Sequence, residues 1–135
     1  MVMVFLALSL AIFSSLVLDA LSICRYGESA FYDPTDWAHD KPIIDSIAPK
    51  GDFNEVAGAL AAVGLGTVPT WLRPFPVLSN GEKFRANLAR LICEAPQRVV
   101  VDEFTSVVDR QIAKFGALAF QKAWRRTGGQ VVLLS

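Results

Sequence analysis

Two short runs of branched aliphatic residues, separated by one amphipathic helix pattern, constrain the fold of this chain most strongly. The first run is Val99, Val100 and Val101, and the second covers residues 131–134. Such runs suit strands buried on both faces, because a half-exposed strand alternates apolar and polar side chains. The order strand, helix, strand therefore predicts an α/β fold whose parallel sheet is flanked by helices.

Three longer helices are predicted from apolar side chains that recur at helical period. In the first, Asp52 and Glu55 have the spacing of a capping box, and Gly64 or Gly66 ends the helix. Its predicted apolar positions are Phe53, Val56, Ala57, Leu60 and Ala61. The second begins at Ser79 or Asn80, ends before Pro96, and is predicted to bury Phe84, Leu88 and Leu91. The third begins near Asp109, and its apolar positions are Ile112, Phe115, Gly116, Ala119, Phe120 and Ala123.

The remaining sequence divides into an apolar segment at residues 1–23 and an irregular region at residues 24–51. In the irregular region a short helix is predicted at Ile43–Ile47, after Pro42. Residues 67–77 contain three prolines, which predict a surface connection. Within it, Trp71, Leu72 and Phe75 are expected to pack on the core. Residues 52–135 then form the main predicted domain.

Residues 1–18 carry no charged side chain and allow three interpretations. A secretory signal is poorly formed, because the first basic residue is Arg25, after the run. A membrane anchor would leave the rest of the chain cytoplasmic, since every basic residue follows the run. The third interpretation is an artefact of the gene model, in which a shifted frame or alternative start replaces the native sequence.

The overall composition argues against several classes of function. Thirteen basic and thirteen acidic side chains balance, so no bulk field favours nucleic acid. The single histidine, His39, makes a metal site built on imidazole improbable and is interpreted as an exposed loop residue. Cys24 and Cys93 have neither the number nor the spacing of a disulfide framework or a zinc site, which indicates buried or idle thiols in a reducing compartment.

Two carboxylates follow the first valine run. Asp102 and Glu103 stand where a buried parallel strand would reach its carboxyl end. An Asp in that position can hold a magnesium ion, and a neighbouring Glu can act as a general base toward water. The alternative is that the two acids only close a buried strand at the surface.

A predicted helix start lies upstream, in the sequence Leu78-Ser79-Asn80-Gly81-Glu82. Free backbone N–H groups and the helix dipole make such a start suitable for a phosphate group. Ser79 and Glu82 also have the spacing of a capping box, which would turn the Glu82 carboxylate back toward the Ser79 N–H.

These motifs together resemble the second half of an ABC-type (ATP-binding cassette) ATPase domain. Leu78, Ser79 and Gly81 match its signature motif Leu-Ser-Gly-Gly-Gln, whereas Asn80 and Glu82 depart from it. The family's next residues match at Arg85, Ala89, Arg90 and Pro96, and its acidic Walker B strand matches at Asp102 and Glu103. Thr105, Ser106 and Asp109 match the segment that follows, with Phe104 in place of its proline.

The resemblance implies an incomplete P-loop NTPase (ABC-type) sheet that uses ATP and Mg²⁺ in a complete protein. It implies that residues 78–82 meet the γ-phosphate of ATP held by an opposite subunit, and that Asp109 signals across this dimer interface. Asp102 would hold Mg²⁺ and Glu103 would be the catalytic base. No GxxxxGK[ST] phosphate loop (Walker A) is present, and the family's switch histidine is missing from the sequence.

The resemblance thus leads to two hypotheses. In the first, the chain is a cytoplasmic fragment of an ATP-hydrolysing ABC-type protein, inactive in isolation, whose full form dimerises. In the second, it is a membrane-tethered, non-catalytic partner that supplies a signature face to a complete ATPase subunit. An unrelated α/β domain with accidental motifs is the remaining alternative.

Overall fold

A computed structural model describes residues 3–6, 30–31, 37–48, 50–101 and 108–134. These residues include four strands, β1 (Met3–Leu6), β2 (Ala30–Phe31), β3 (Arg98–Val101) and β4 (Gln130–Leu134). The helices in the described residues are α1 (Ile43–Ile47), α2 (Phe53–Ala62), α3 (Val68–Trp71), α4 (Asn80–Glu94) and α5 (Arg110–Trp124), and a 3₁₀ turn lies at Phe75–Val77. The described elements form an incomplete α/β fold, as predicted.

The strands form one parallel sheet in the order β1-β4-β3-β2. In this sheet Val99 pairs with Val131 and Val100 with Val132. All four valines are buried, which confirms that the two aliphatic runs are buried parallel strands. Strand β2 lies within residues 24–51, which the sequence predicts to be irregular around the short helix, and two residues are too few to show a strand period.

Helices α2, α4 and α5 contact one another and cover one face of the sheet. Their buried side chains form a single core with alternate residues of the strands, including Val99, Val131 and Leu133. Phe120 and Trp124 at the end of α5 are fully buried, and the Trp124 indole donates a hydrogen bond to the Gly129 carbonyl at 3.1 Å. This bond fixes the turn that leads from α5 into β4.

Several predicted core positions are wrong because sequence period does not fix how a helix is rotated. Phe53 and Phe115 are 62% and 67% exposed. Leu72 was predicted to pack on the core from the proline-rich connection and not from a helical period, and it is 61% exposed. Helix α5 instead buries Ala113, Gly116, Ala117, Phe120 and Trp124. The predicted capping box of α2 is also absent: Asp52 occupies the N-cap position, but its side chain makes no capping hydrogen bond.

The apolar run falls largely outside the described residues. Its first described part, Met3–Leu6, is a strand paired with β4, whereas residues 7–29 are not described. Within the described ranges, no helix combines the length and apolar character needed to cross a bilayer.

Candidate functional site

The first turn of α4 carries the signature-like residues and is closed by a capping box. Ser79 is the N-cap, and its Oγ accepts a hydrogen bond from the Glu82 N–H at 3.3 Å. The Ser79 N–H in turn donates to Glu82 Oε2 at 2.8 Å. Leu78, immediately before the cap, is buried and anchors the turn to the core. The capping box predicted from Ser79 and Glu82 is confirmed.

The capping box leaves part of the helix end available to a ligand. The N–H groups of Asn80 and Gly81 have no intrahelical acceptor, because a helix supplies none for its first turn. Ser79 and Asn80 are exposed and Gly81 is half-exposed. This end of α4 therefore offers backbone donors and a partial positive charge at the surface.

The Glu82 carboxylate is held by its own turn. Its pKa is lowered, first by the hydrogen bond from the Ser79 backbone, then by the one from the Ser79 side chain, with a smaller effect of Arg73. Arg73 Nη1 lies 3.9 Å from Glu82 Oε1. Glu82 is therefore ionised at neutral pH, and one of its oxygens is turned back onto Ser79.

The start of α5 lies beside this turn. Asp109 is the N-cap of α5, and its Oδ1 accepts a hydrogen bond from the Gln111 N–H at 2.8 Å. A Cβ placed on Gly81 would lie 3.6 Å from Ile112 Cδ1, in the first turn of α5. The structure thus brings the signature-like turn and the Asp109 turn together, although they are far apart in sequence.

Helices α4 and α5 run in the same direction. One turn beyond the Gly81–Ile112 contact, a Cβ on Gly116 would lie 2.6 Å from Phe84 Cε1. Contacts that advance together along both helices require a parallel arrangement, so both amino termini and their dipoles point to the same end. Strand β3 also ends on this side, because α5 follows β3 and runs back across the sheet.

The two candidate catalytic carboxylates lie outside the part of the chain that the structure describes. Strand β3 ends at Val101, and Asp102 and Glu103 lie outside the described residues, as do Thr105 and Ser106. In α/β folds, ligand sites form at the carboxyl ends of parallel strands. Asp102 follows Val101 directly in the sequence, and the magnesium role that the resemblance implies for it stays a prediction.

Trp37 organises a second cluster, which sequence reasoning missed. Its ring stacks on Phe75 with a centroid distance of 4.4 Å, and the Arg90 guanidinium lies 5.1 Å from its centroid. The indole N–H donates to Asn87 Oδ1 at 2.8 Å. The cluster connects the segment before α1 to α4. The signal for it in the sequence is an aromatic residue, Trp37, within a polar stretch.

An open cavity of about 710 Å³ adjoins this cluster, and Lys41, Glu55, Arg90 and Cys93 are among the residues that line it. Burial raises the pKa of the Cys93 thiol to about 11, with a further contribution from Glu55. The thiol therefore stays protonated at neutral pH. In the part of the chain that the structure describes, no His, Cys, Asp and Glu side chains group as metal ligands.

We expect Ser79→Ala to lower the free energy of unfolding by about 1 kcal/mol, because it removes the side-chain half of the capping box. Urea unfolding at 25 °C would measure the change. Ser79→Thr retains the hydroxyl and serves as the matched control, with an expected change below about 0.5 kcal/mol. Equal midpoints for Ser79→Ala and the unchanged chain would show that the cap contributes nothing to stability.

Comparison with known proteins shows similarity in structure alone. No protein-family model matches the sequence, and no curated protein matches it. Solved structures of ABC cassettes do match. The post-hydrolysis dimer of the ATP-binding cassette MJ0796, bound to ADP and Pi, has 16% identity and a TM-score of 0.64, over 87% of this chain and 56% of that chain.

Two further structures agree. A metal-chelate type ABC transporter in an inward-facing conformation has 19% identity and a TM-score of 0.63, over 99% of this chain and 61% of its own. A dimeric structure of MJ0796, described as a bacterial ABC transporter cassette, has 15% identity and a TM-score of 0.62, with 86% and 56% covered. The predicted ABC-type fold is confirmed, and the chain spans less than two thirds of the length of these cassettes.

Proposed function

We propose that this chain is the signature-motif part of an ABC-type ATPase. Its α4 turn, residues 78–82, would meet the γ-phosphate of an ATP molecule held by the phosphate loop of another subunit. The proposal rests on one observation in this fold. Helices α4 and α5 are parallel, and their amino termini, at Ser79 and Asp109, lie next to each other. Both dipoles favour an anion at that end.

Glu82 does not oppose this role, although a carboxylate near a phosphate is repulsive. Its Oε2 is occupied by the Ser79 N–H, and its Oε1 faces Arg73. The N–H groups of Asn80 and Gly81 remain the donors for a phosphate oxygen, together with the Ser79 hydroxyl proton. Glu82 therefore acts as a structural residue of the turn, in place of the usual glutamine.

Hydrolysis would require a phosphate loop, which this sequence does not contain, in addition to two carboxylates that it does contain. In the complete protein, Asp102 would hold Mg²⁺ and Glu103 would polarise the attacking water. A phosphate loop and its lysine supply most of the binding to the β- and γ-phosphates. The isolated chain is therefore expected to hold ATP weakly and to hydrolyse none, and its activity depends on a complementary subunit in a cytoplasmic dimer.

A chimeric cassette tests the proposal. Residues 78–135 of this chain would replace the corresponding part of the MJ0796 cassette, and ATP-dependent dimerisation would be measured by analytical ultracentrifugation. We expect the chimera to dimerise with ATP. Gly81→Asp in the chimera should weaken ATP-dependent dimerisation at least about tenfold, because the added carboxylate repels the phosphate.

The Gly81 variants separate binding from folding. A carboxylate in the first turn of a helix is favourable for the helix itself, so Gly81→Asp should not unfold it. Gly81→Ala is the matched control, since its Cβ would make only ordinary contacts of 3.6–3.7 Å with Ile112. A folded chimera whose dimerisation changes neither on addition of ATP nor with Gly81→Asp would contradict the proposal.

A membrane-tethered, non-catalytic partner that lends only this face to a complete subunit is the second candidate. It is favoured by the absence of any GxxxxGK[ST] run in the sequence. Reading the gene's flanks in all three forward frames separates the two candidates. A phosphate-loop codon run upstream, with a His codon past Ser135, supports a fragment of an ATPase, whereas flanks without them support the partner.

A further inference from the structure

The charged residues of this chain are unevenly distributed along its sequence. Basic and acidic side chains balance over the whole chain, but no acidic residue follows Asp109. The basic residues that follow it lie in α5 or directly after it, and they are Arg110, Lys114, Lys122, Arg125 and Arg126. The neutral total therefore conceals a strongly basic part of the molecule.

The fold gathers these cations on the outer side of α5. Lys114, Leu118, Lys122 and Arg125 follow one another at spacings of four, four and three residues, which places them in one row along the helix. All four are exposed. The core side of the same helix is occupied by its buried residues, such as Phe120. The cations thus face solvent together.

Two large apolar side chains lie among these cations. Leu118, between Lys114 and Lys122 in the row, is 56% exposed, and Phe115, one turn before Leu118, is also exposed. Exposed apolar side chains bordered by polar residues are typical of a surface that binds a partner. We call this surface the outer face of α5, and it consists of Arg110, Lys114, Phe115, Leu118, Lys122 and Arg125.

The charge of the outer face of α5 calls for an anionic partner. Between side chains that the structure describes, the ion pairs join Arg73 to Glu82 and Arg90 to Glu94, and neither pair involves α5. The helix itself contains no acidic residue. A partner with negative charge would therefore meet several cations at once, without a nearby carboxylate of α5 to repel it.

The shape and the apolar side chains distinguish between anionic partners. A peptide binds in a groove or along a sheet edge, whereas the outer half of a helix is convex. A nucleic acid backbone would attract the cations but would place Phe115 and Leu118 against charged phosphates. An anionic bilayer offers phosphate headgroups next to an apolar layer, so it suits both kinds of side chain.

We propose that the outer face of α5 docks on an anionic lipid surface. Lys114, Lys122 and Arg125 contact the headgroup phosphates, and Phe115 and Leu118 reach the boundary between headgroups and acyl chains. This proposal rests on the charge and exposure of α5, so it does not depend on the proposed ATPase function.

Vesicle flotation of the full chain tests the lipid requirement. At about 0.1 M salt we expect the chain to float with vesicles of phosphatidylcholine and phosphatidylglycerol and to bind vesicles of phosphatidylcholine alone much less. Raising the salt to about 1 M shortens the Debye length from about 10 Å to about 3 Å and should release the chain. Equal flotation with both kinds of vesicle, or none with either, would overturn the proposal.

Paired lysine variants assign the binding to α5. Replacing both lysines, Lys114→Gln and Lys122→Gln, should weaken binding to the mixed vesicles at least about tenfold, because each cation near the surface contributes to binding. Lys41→Gln with Lys50→Gln is the matched control, since these lysines are exposed, lie outside α5 and change the net charge equally. The same effect for both pairs would mean that bulk charge drives binding, and would overturn the proposal.

Phe115→Ser tests the apolar part of the outer face. Because Phe115 is exposed and the two residues have similar helix propensities, the variant should keep the fold, which circular dichroism would check. We expect weaker binding to the mixed vesicles with the salt dependence retained. Unchanged vesicle binding by this variant, or binding of duplex DNA in preference to the vesicles by the unchanged chain, would contradict docking on a lipid surface.

Discussion

Removing residues 1–23 should abolish the cooperative thermal transition of this protein. The deletion takes away β1, which pairs with β4 along four consecutive residue pairs. Strand β4 then becomes an edge whose backbone groups and buried valines lose their cover. Since native stability is only about 5–15 kcal/mol, the loss of one strand of four should exceed it. Near-UV circular dichroism during a thermal scan would measure the outcome.

A shorter truncation provides the control for this experiment. Removing only residues 1–2 leaves β1 intact and should preserve the transition. The chain that starts at Cys24 should instead be poorly soluble or bind a hydrophobic dye, as expected for a collapsed state without fixed packing. A sharp transition at an unchanged midpoint for that chain would show that the amino-terminal segment is dispensable.

Gly116→Val should destabilise the protein by about 3 kcal/mol. Gly116 lies inside α5 and is buried against α4. A Cβ at this position would lie 2.6 Å from Phe84 Cε1, and Phe84 is itself buried with little room to move. The larger side chain must therefore push α5 away from α4. Chemical unfolding at 25 °C would give the change in free energy.

Gly58 offers a matched comparison because it is also a glycine inside a helix. A Cβ at Gly58 would meet no atom within 4 Å. Gly58→Val should therefore change stability by less than about 0.5 kcal/mol, as helix propensity alone predicts. Equal effects at the two positions would show that the close approach of Phe84 to Gly116 does not limit the side chain at this position.

Local chemistry explains what could be predicted from the sequence. The start of α4 was predicted because Ser79 and Glu82 satisfy each other within one turn, without help from the rest of the fold. The strands at Val99 and Val131 were predicted because burial on both faces demands uninterrupted aliphatic residues. Such signals lie within a few residues of one another, so the sequence displays them directly.

The errors arise where a distant contact decides the structure. Phe115 has the right period for a buried position, but α5 faces Phe84 of α4 through Gly116, and Phe115 is exposed. Strand β2 is defined by the pairing of its backbone with β3, and two residues are too few for a sequence pattern that predicts this pairing. The Trp37 cluster depends on Arg90, far along the chain. The roles of Asp102 and Glu103 stay predictions.

The order of the strands also determines when this fold can be completed during synthesis. Strand β1 pairs with β4, and these are the two described strands farthest apart in sequence. A nascent chain therefore carries β1 without a partner until β4 has left the ribosome exit tunnel. Pairing between such distant segments makes folding slow and leaves apolar surface exposed in the meantime. Translation speed and chaperone supply should consequently limit the yield of folded protein more than its final stability does.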